Sequence, residues 1–151
     1  MATTPLSILA AHEARAMPPA LPLLAREVAG FAATRIRATF APPVRLDVEG
    51  RGQNVFVIPG FLASDRTTAR LRRSLDQAGF RAYGWGLGRN GGVSPYLFEQ
   101  IDRQFDHNEI DSPATLVGWS LGGVIAREYA KRSPHRVSRV ITLGSPFSAH
   151  P

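Results

Sequence analysis

The stretch Gly118-Trp119-Ser120-Leu121-Gly122-Gly123 leaves few folds open to this chain. Ahead of it stands Ala114-Thr115-Leu116-Val117, short, apolar and β-leaning; behind it, Val124 to Arg132 places helix formers at helical spacing. A serine is thus set on a sharp strand-to-helix turn, with glycine two residues before it and two after. That is the G-x-S-x-G pattern in the setting it requires. The glycines answer a steric demand. A residue held out on so tight a turn has strained backbone angles, and side chains at Gly118 and Gly122 would collide, while Gly123 lets the helix approach its strand. The turn lifts the Ser120 hydroxyl above the sheet edge at a helix N-terminus, where N–H groups and the helix dipole favour developing negative charge. Ser120 is the candidate nucleophile.

The remaining chain alternates strand and helix. Asn54-Val55-Phe56-Val57-Ile58 is continuously apolar and β-branched, as a strand buried on both faces requires, and runs into Pro59-Gly60-Phe61-Leu62. A helix is expected from about Arg66 to Ala78, capped by Ser64 or Asp65, with Leu71, Leu75 and Ala78 inward and Gly79 as its stop. A strand over about Phe80 to Trp85, a glycine loop to Gly92, and a helix from about Pro95 to Phe105 follow. After the Ser120 turn, Val137 to Leu143 is a further strand, closing in Gly144-Ser145-Pro146-Phe147. Such alternation predicts an α/β fold, a parallel sheet with helices on both faces. Right-handed crossovers then gather Phe61, the glycine loop, Ser120 and Ser145 at one end of the sheet, where ligands of open parallel sheets bind.

Upstream, residues 1–50 read as a separate N-terminal segment and 51–151 as the main domain. From Ala20 to about Phe40, Leu24, Val28, Phe31, Ala32 and Ile36 form one stripe with arginines away from it, an amphipathic helix. A membrane-surface helix shows the same pattern; covering a core is the commoner use and the one expected here. Val44 to Val48 reads as a short strand.

Composition removes several classes. The 151 residues suffice for one domain with a real core, and the absence of cysteine excludes disulfides, thiolate metal sites and cysteine nucleophiles. No His, Asp and Glu cluster has ligand spacing, so no metal is expected. The net charge is +6, almost all of it arginine, with Lys131 the single lysine. These arginines are scattered over expected helix outer faces and not interleaved with aromatics, which disfavours nucleic acid as a partner. No apolar run reaches membrane-spanning length, and Met1 to Ala16 lacks the pattern of a secretory signal, which points to the cytoplasm.

Val55 to Phe61, Gly118 to Gly123 and Leu143-Gly144-Ser145-Pro146 together resemble the α/β-hydrolase superfamily, and within it bacterial lipases and esterases, over about Asn54 to Phe147. In that family the first motif follows strand 3, commonly as His-Gly; Pro59-Gly60 stands in its place here. The resemblance implies Ser120 as nucleophile, the backbone N–H groups of Phe61 and Leu121 as an oxyanion hole, and a small-molecule or lipid ester as substrate, with no cofactor. It also implies a chain order of Ser, then Asp or Glu, then His. This sequence stops just after the strand resembling the sixth, so it is expected to be an N-terminal part of such a fold, truncated before the acid and the histidine. A non-catalytic binding or interaction module on the same fold is the alternative. An exposed edge on the last strand would then invite self-association.

Four histidines are present. His12 lies in the patternless N-terminus, His107 at a helix end, and His135 before the last strand, at the far end of the sheet from Ser120. His150 is on the correct side and is the candidate base within this chain, although no carboxylate partner is apparent for it. Trp119 and Arg89 are candidate pocket residues, and for both a bland use is commoner: packing under loops, and solvation. Gly86-Leu87-Gly88-Arg89-Asn90-Gly91 matches G-x-G-x-x-G, but Gly92 to Pro95 separate it from the next helix and Asp111 precedes a strand instead of ending one. Nicotinamide or flavin binding is accordingly disfavoured.

Overall fold

The computed structural model describes Gly30 and residues 41–146. Gly30 is helical; the remainder of the helix expected over 20–40, together with His12 and His150, lies outside the described residues. Four strands form one sheet: β1 (Asn54–Ile58), β2 (Arg81–Gly84), β3 (Ala114–Trp119) and β4 (Val137–Leu143), in the order β2-β1-β3-β4, all pairs parallel. Three α-helices connect them: α1 (Asp65–Gln77), α2 (Leu97–His107) and α3 (Leu121–Arg132), with a 3-10 turn over Pro134–Arg136. This is a partial α/β-hydrolase fold.

Every residue of β1 is buried, because both its faces are covered. Phe56 and Ile58 pack with Leu97, Ile101 and Phe105 of α2 and Ile125 and Tyr129 of α3. Val55 and Val57 point the other way and meet Leu71 and Leu75 of α1. The register of β1 on β3 runs from Val55 opposite Thr115 to Ile58 opposite Gly118, so the Pro59 turn and the Ser120 turn leave the sheet side by side. Between β3 and β4 the register slips once at Ala114/Thr115, with Val137 and then Arg139 as successive partners. That bulge lets Val137 and Val140, three apart, both reach the α2–α3 core.

The ends of α1 follow from capping chemistry. Gly79, at φ 88°, donates to Asp76 O at 3.0 Å while Phe80 donates to Leu75 O at 3.0 Å, a Schellman closure. At the other end Ser64 is the N-cap residue without a side-chain cap bond; its carbonyl accepts Thr67 N–H at 2.9 Å.

The expected strand over Val44 to Val48 is not one. Val44 and the residues flanking the segment bond to α1 and its C-cap instead of to a neighbouring strand. Val44 N–H donates to Ser74 Oγ at 2.8 Å and Arg70 Nε donates to the Pro42 carbonyl at 2.9 Å, while Gly50 N–H donates to Ala78 O at 2.5 Å. The segment is a strap across α1, with Val44 and Val48 largely exposed. Several arginines likewise hold loops and helices together instead of standing free. Arg127 donates to the Pro146 carbonyl, Arg132 pairs with Glu99, and Arg136 pairs with Asp106 at 2.9 Å. No described helix is long and apolar enough to cross a membrane.

Candidate active site

β3 ends at Trp119 and α3 begins at Leu121, leaving Ser120 as the turn between them. Its backbone sits at φ 52°, ψ −119°, a conformation that costs a non-glycine residue about 1–3 kcal/mol and persists only where the surroundings enforce it. They do so at both ends of the residue. Ser120 N–H donates to Leu143 O at 2.8 Å. The Ser120 carbonyl accepts from Gly123 N–H at 3.0 Å and from Ser145 Oγ at 2.7 Å. Ser145, in the turn that closes the last strand, is buried and also holds the serine turn. A Cβ built at Gly118 would overlap the Gly122 carbonyl, and one at Gly122 would overlap the carbonyls of Ile58 and Pro59. The first turn of α3 is therefore pressed against both its own strand and the end of β1.

The turn after β1 lies against Ser120. A Cβ at Gly60 would stand 3.4 Å from Ser120 Cβ, 3.2 Å from the Trp119 carbonyl and 3.8 Å from the Trp119 ring. Trp119, partly buried, thus packs on the Pro59-Gly60 backbone. Ala63 N–H closes the turn on Gly60 O at 3.0 Å, with Leu62 at φ 55°. The Phe61 side chain is exposed. Among the described residues, neither the Phe61 N–H nor the Leu121 N–H is donated to any acceptor. One belongs to the turn that abuts Ser120, the other to the first residue of the helix that follows it. Donors in such places, left open by the protein, are what an oxyanion requires.

The glycine loop after β2 is held by residues whose use was not legible as such. Asp65, expected only as a helix cap, accepts Trp85 N–H through Oδ1 and Gly86 N–H through Oδ2, both at 3.0 Å. Trp85 Nε1 donates to Gly88 O at 2.9 Å. Asn90 is wholly buried and bonded to the Pro59 turn. A buried amide amid glycines is a weak sequence signal, because Asn is equally at home in any exposed turn. The loop does not lead into a helix at its third glycine, since α2 starts only at Leu97. Arg89 lines a cavity of about 270 Å³ with Trp85, Leu87, Val93, Leu97 and Gln100; neither Ser120 nor Trp119 is among the lining residues.

Of the two described histidines, His107 ends α2 and His135 lies in the 3-10 turn ahead of β4. Both positions are at the N-terminal ends of the strands, opposite Ser120, and both residues are exposed. Among the described residues no group of His, Asp and Glu has the arrangement of a metal site.

A serine on a strained strand–helix turn at the end of a parallel sheet is a feature shared across one fold family. Residues 53–151 match the family model described as alpha/beta hydrolase fold, and the chain belongs to that family. Its curated relatives include esterases. A pimeloyl-(acyl-carrier protein) methyl ester esterase of Edwardsiella ictaluri is 38% identical over 60 residues, 40% of this chain and 23% of that protein. An enzyme of the same name from Aromatoleum aromaticum is 43% identical over 37 residues, 24% of this chain and 15% of the relative. The biotin biosynthesis bifunctional protein BioHC of Teredinibacter turnerae is 50% identical over 50 residues, 33% of this chain and 8% of that protein. The matched region is thus less than a quarter of each relative's length. An extracellular alpha/beta-hydrolase from a Paenibacillus species superposes with a TM-score of 0.54 at 16% identity, covering 64% of this chain and 42% of that one, a likeness of fold.

Proposed function

We propose that this chain carries the nucleophile-bearing part of a serine hydrolase of carboxylic esters. Ser120 is its nucleophile, and the Phe61 and Leu121 N–H groups are its oxyanion donors. The observation that carries the reading is the left-handed Ser120 turn at φ 52° lying against a second turn, with an undonated N–H on each side. Ser120 Oγ attacks the ester carbonyl, the two N–H groups receive the oxyanion, and collapse expels the alcohol and leaves an acyl-serine ester. Water then adds by the same route and releases the acid. Each donor contributes on the order of 3 kcal/mol to barrier lowering. The esterase relatives support ester chemistry; their matched regions are too short to carry their particular substrates across.

The reaction also needs a group that takes the serine proton and returns it to the leaving alcohol. We assign that group, with its carboxylate, to residues of the complete hydrolase that follow β4, as the order Ser, acid, His implies. One observation favours the alternative, a non-catalytic binding or interaction module: both described histidines are at the wrong end of the sheet.

Two assays separate these readings. In the complete hydrolase, a fluorophosphonate probe labels Ser120 and the Ser120→Ala variant loses the label; persistent labelling of that variant at another serine refutes the nucleophile. With the 151-residue chain alone, p-nitrophenyl butyrate is turned over no faster than by its Ser120→Ala variant, because loss of the base costs several powers of ten. A large Ser120-dependent rate with an inflection near the histidine pKa identifies a base inside the chain, and His150→Ala is then the variant to make.

A further inference from the structure

We infer that Asn90 is a positioning residue for ester hydrolysis: it clamps the turn after β1 so that the Phe61 N–H faces the oxygen of the carbonyl group attacked by Ser120. The inference rests on the reading of Ser120 and Phe61 given above, and adds to it a residue from a different loop.

Asn90 is completely buried, at 0% exposure, in the loop between β2 and α2. Each of its four polar groups has a partner, and three of the four partners belong to the Pro59–Ala63 turn. Its Nδ2 donates to the Pro59 carbonyl at 2.7 Å, its main-chain carbonyl accepts Leu62 N–H at 2.7 Å, and its N–H donates to Ala63 O at 2.8 Å. The fourth group, Oδ1, accepts Gly92 N–H at 3.0 Å, which also fixes which end of the amide faces Pro59. The turn is thereby tied at both ends. Of the N–H groups at positions 61 to 63, that of Leu62 goes to Asn90 and that of Ala63 to Gly60; only that of Phe61 is left open among the described residues. Leu62 at φ 55° is a conformation a leucine does not hold unaided.

The chemistry requires an amide at position 90. Aspartate has the same shape but presents lone pairs to the Pro59 carbonyl, and alanine or leucine leaves that carbonyl without its buried donor. Because Gly60 touches the Ser120 turn, a shift of Pro59 moves the Phe61 N–H relative to the nucleophile. Misplacement of a catalytic group by about 1 Å costs on the order of 100-fold in rate.

The test uses the complete hydrolase, with p-nitrophenyl butyrate and a fluorophosphonate probe, on Asn90→Asp and Ser120→Ala. For Asn90→Asp the expected result is a kcat lowered about 10- to 100-fold, KM within about threefold, and fluorophosphonate labelling slowed in parallel, on protein that still melts cooperatively. A merely structural role would lower the melting temperature while leaving kcat of the folded protein unchanged. If Ser120→Ala loses its label but Asn90→Asp keeps its kcat within about twofold, the clamp is overturned while the nucleophile stands. Persistent labelling of Ser120→Ala overturns both. If Asn90→Asp does not fold, amide hydrogen exchange in the unsubstituted protein decides instead. Protection of the Leu62 and Ala63 amides well above that of Phe61 supports the clamp, and equal protection of the three overturns it.

Discussion

At the scale of single residues, the serine turn was legible and the residues that brace it were not. Ser120 announces itself because glycine at fixed offsets is a steric signature, and the overlaps a Cβ would make at Gly118 and Gly122 are its physical content. Asn90, Asp65 and Ser145 give no such signal, since each acts through bonds to backbone atoms 20 to 31 residues away. Backbone partners leave no trace in side-chain pattern. Ser145 supplies a direct test. Replacing it with alanine deprives the Ser120 carbonyl of one of its two donors and is expected to lower stability by about 1 kcal/mol. The same change should slow fluorophosphonate labelling at Ser120, because the turn relaxes. Urea unfolding beside labelling kinetics measures both, and an unchanged labelling rate refutes the brace.

At the scale of elements, the strands were readable from their β-branched runs, whether buried, as in β1, or largely exposed, as in β4. β1 and β4 match the expected bounds, because β-branched runs between turn residues have few other uses. Val44 to Val48 misled because alternation of apolar and polar residues is also what a strap over a helix shows. What decides between them is where the backbone bonds go, and here the Val44 N–H goes to Ser74 of α1. β4 raises a second matter. Among the described residues it pairs only with β3, and on its face away from α3 Ile141 and Leu143 are 40% and 43% exposed. A bare apolar edge of this kind recruits other strands. The 151-residue chain is therefore expected to self-associate, its weight-average mass in sedimentation rising over about 10–100 μM. Ile141→Lys should suppress the rise, and a wild-type monomer throughout that range refutes the expectation.

For the whole molecule, the sheet face covered by α2 and α3 is locked by one polar network beneath three aromatic rings. Phe56, Phe105 and Tyr129 stack at centroid distances of 4.9 and 5.7 Å, and Tyr129 Oη donates to Asp102 at 2.6 Å. Arg136 joins Asp102 at 3.5 Å and Asp106 at 2.9 Å, so α2, α3 and the turn into β4 meet at one point. Burial, and next the hydrogen bond to Asp102, push the Tyr129 phenol well above its ordinary range. The sign of the consequence follows. Above pH of about 10 the unfolded chain releases this proton while the folded chain keeps it, so stability falls as pH rises through that region and is intact below it. Tyr129→Phe is expected to lose about 1.5–3 kcal/mol at neutral pH and to show a shallower decline at alkaline pH. Chemical denaturation from about pH 7 to about pH 11, spanning the ordinary tyrosine pKa, tests both, and parallel pH curves for the two proteins refute the assignment.

The chain order β1, α1, β2, α2, β3 also sets the order in which the parts of the sheet are synthesised. A chain emerging from the ribosome makes β1, α1 and β2 before the rest of the sheet, and β1 and β2 pair across the single connection that α1 provides. One flank of β1 is then satisfied and the other stands open until α2 has been made. By that stage the Pro59 turn and Asn90 have both been synthesised and are able to bond. β3 arrives last on the open flank and carries Ser120 at its end. The Pro59 turn and its Asn90 partner precede Ser120 in synthesis, whereas Leu143 and Ser145, which hold the Ser120 backbone, follow it, so the turn is locked only once β4 has been made.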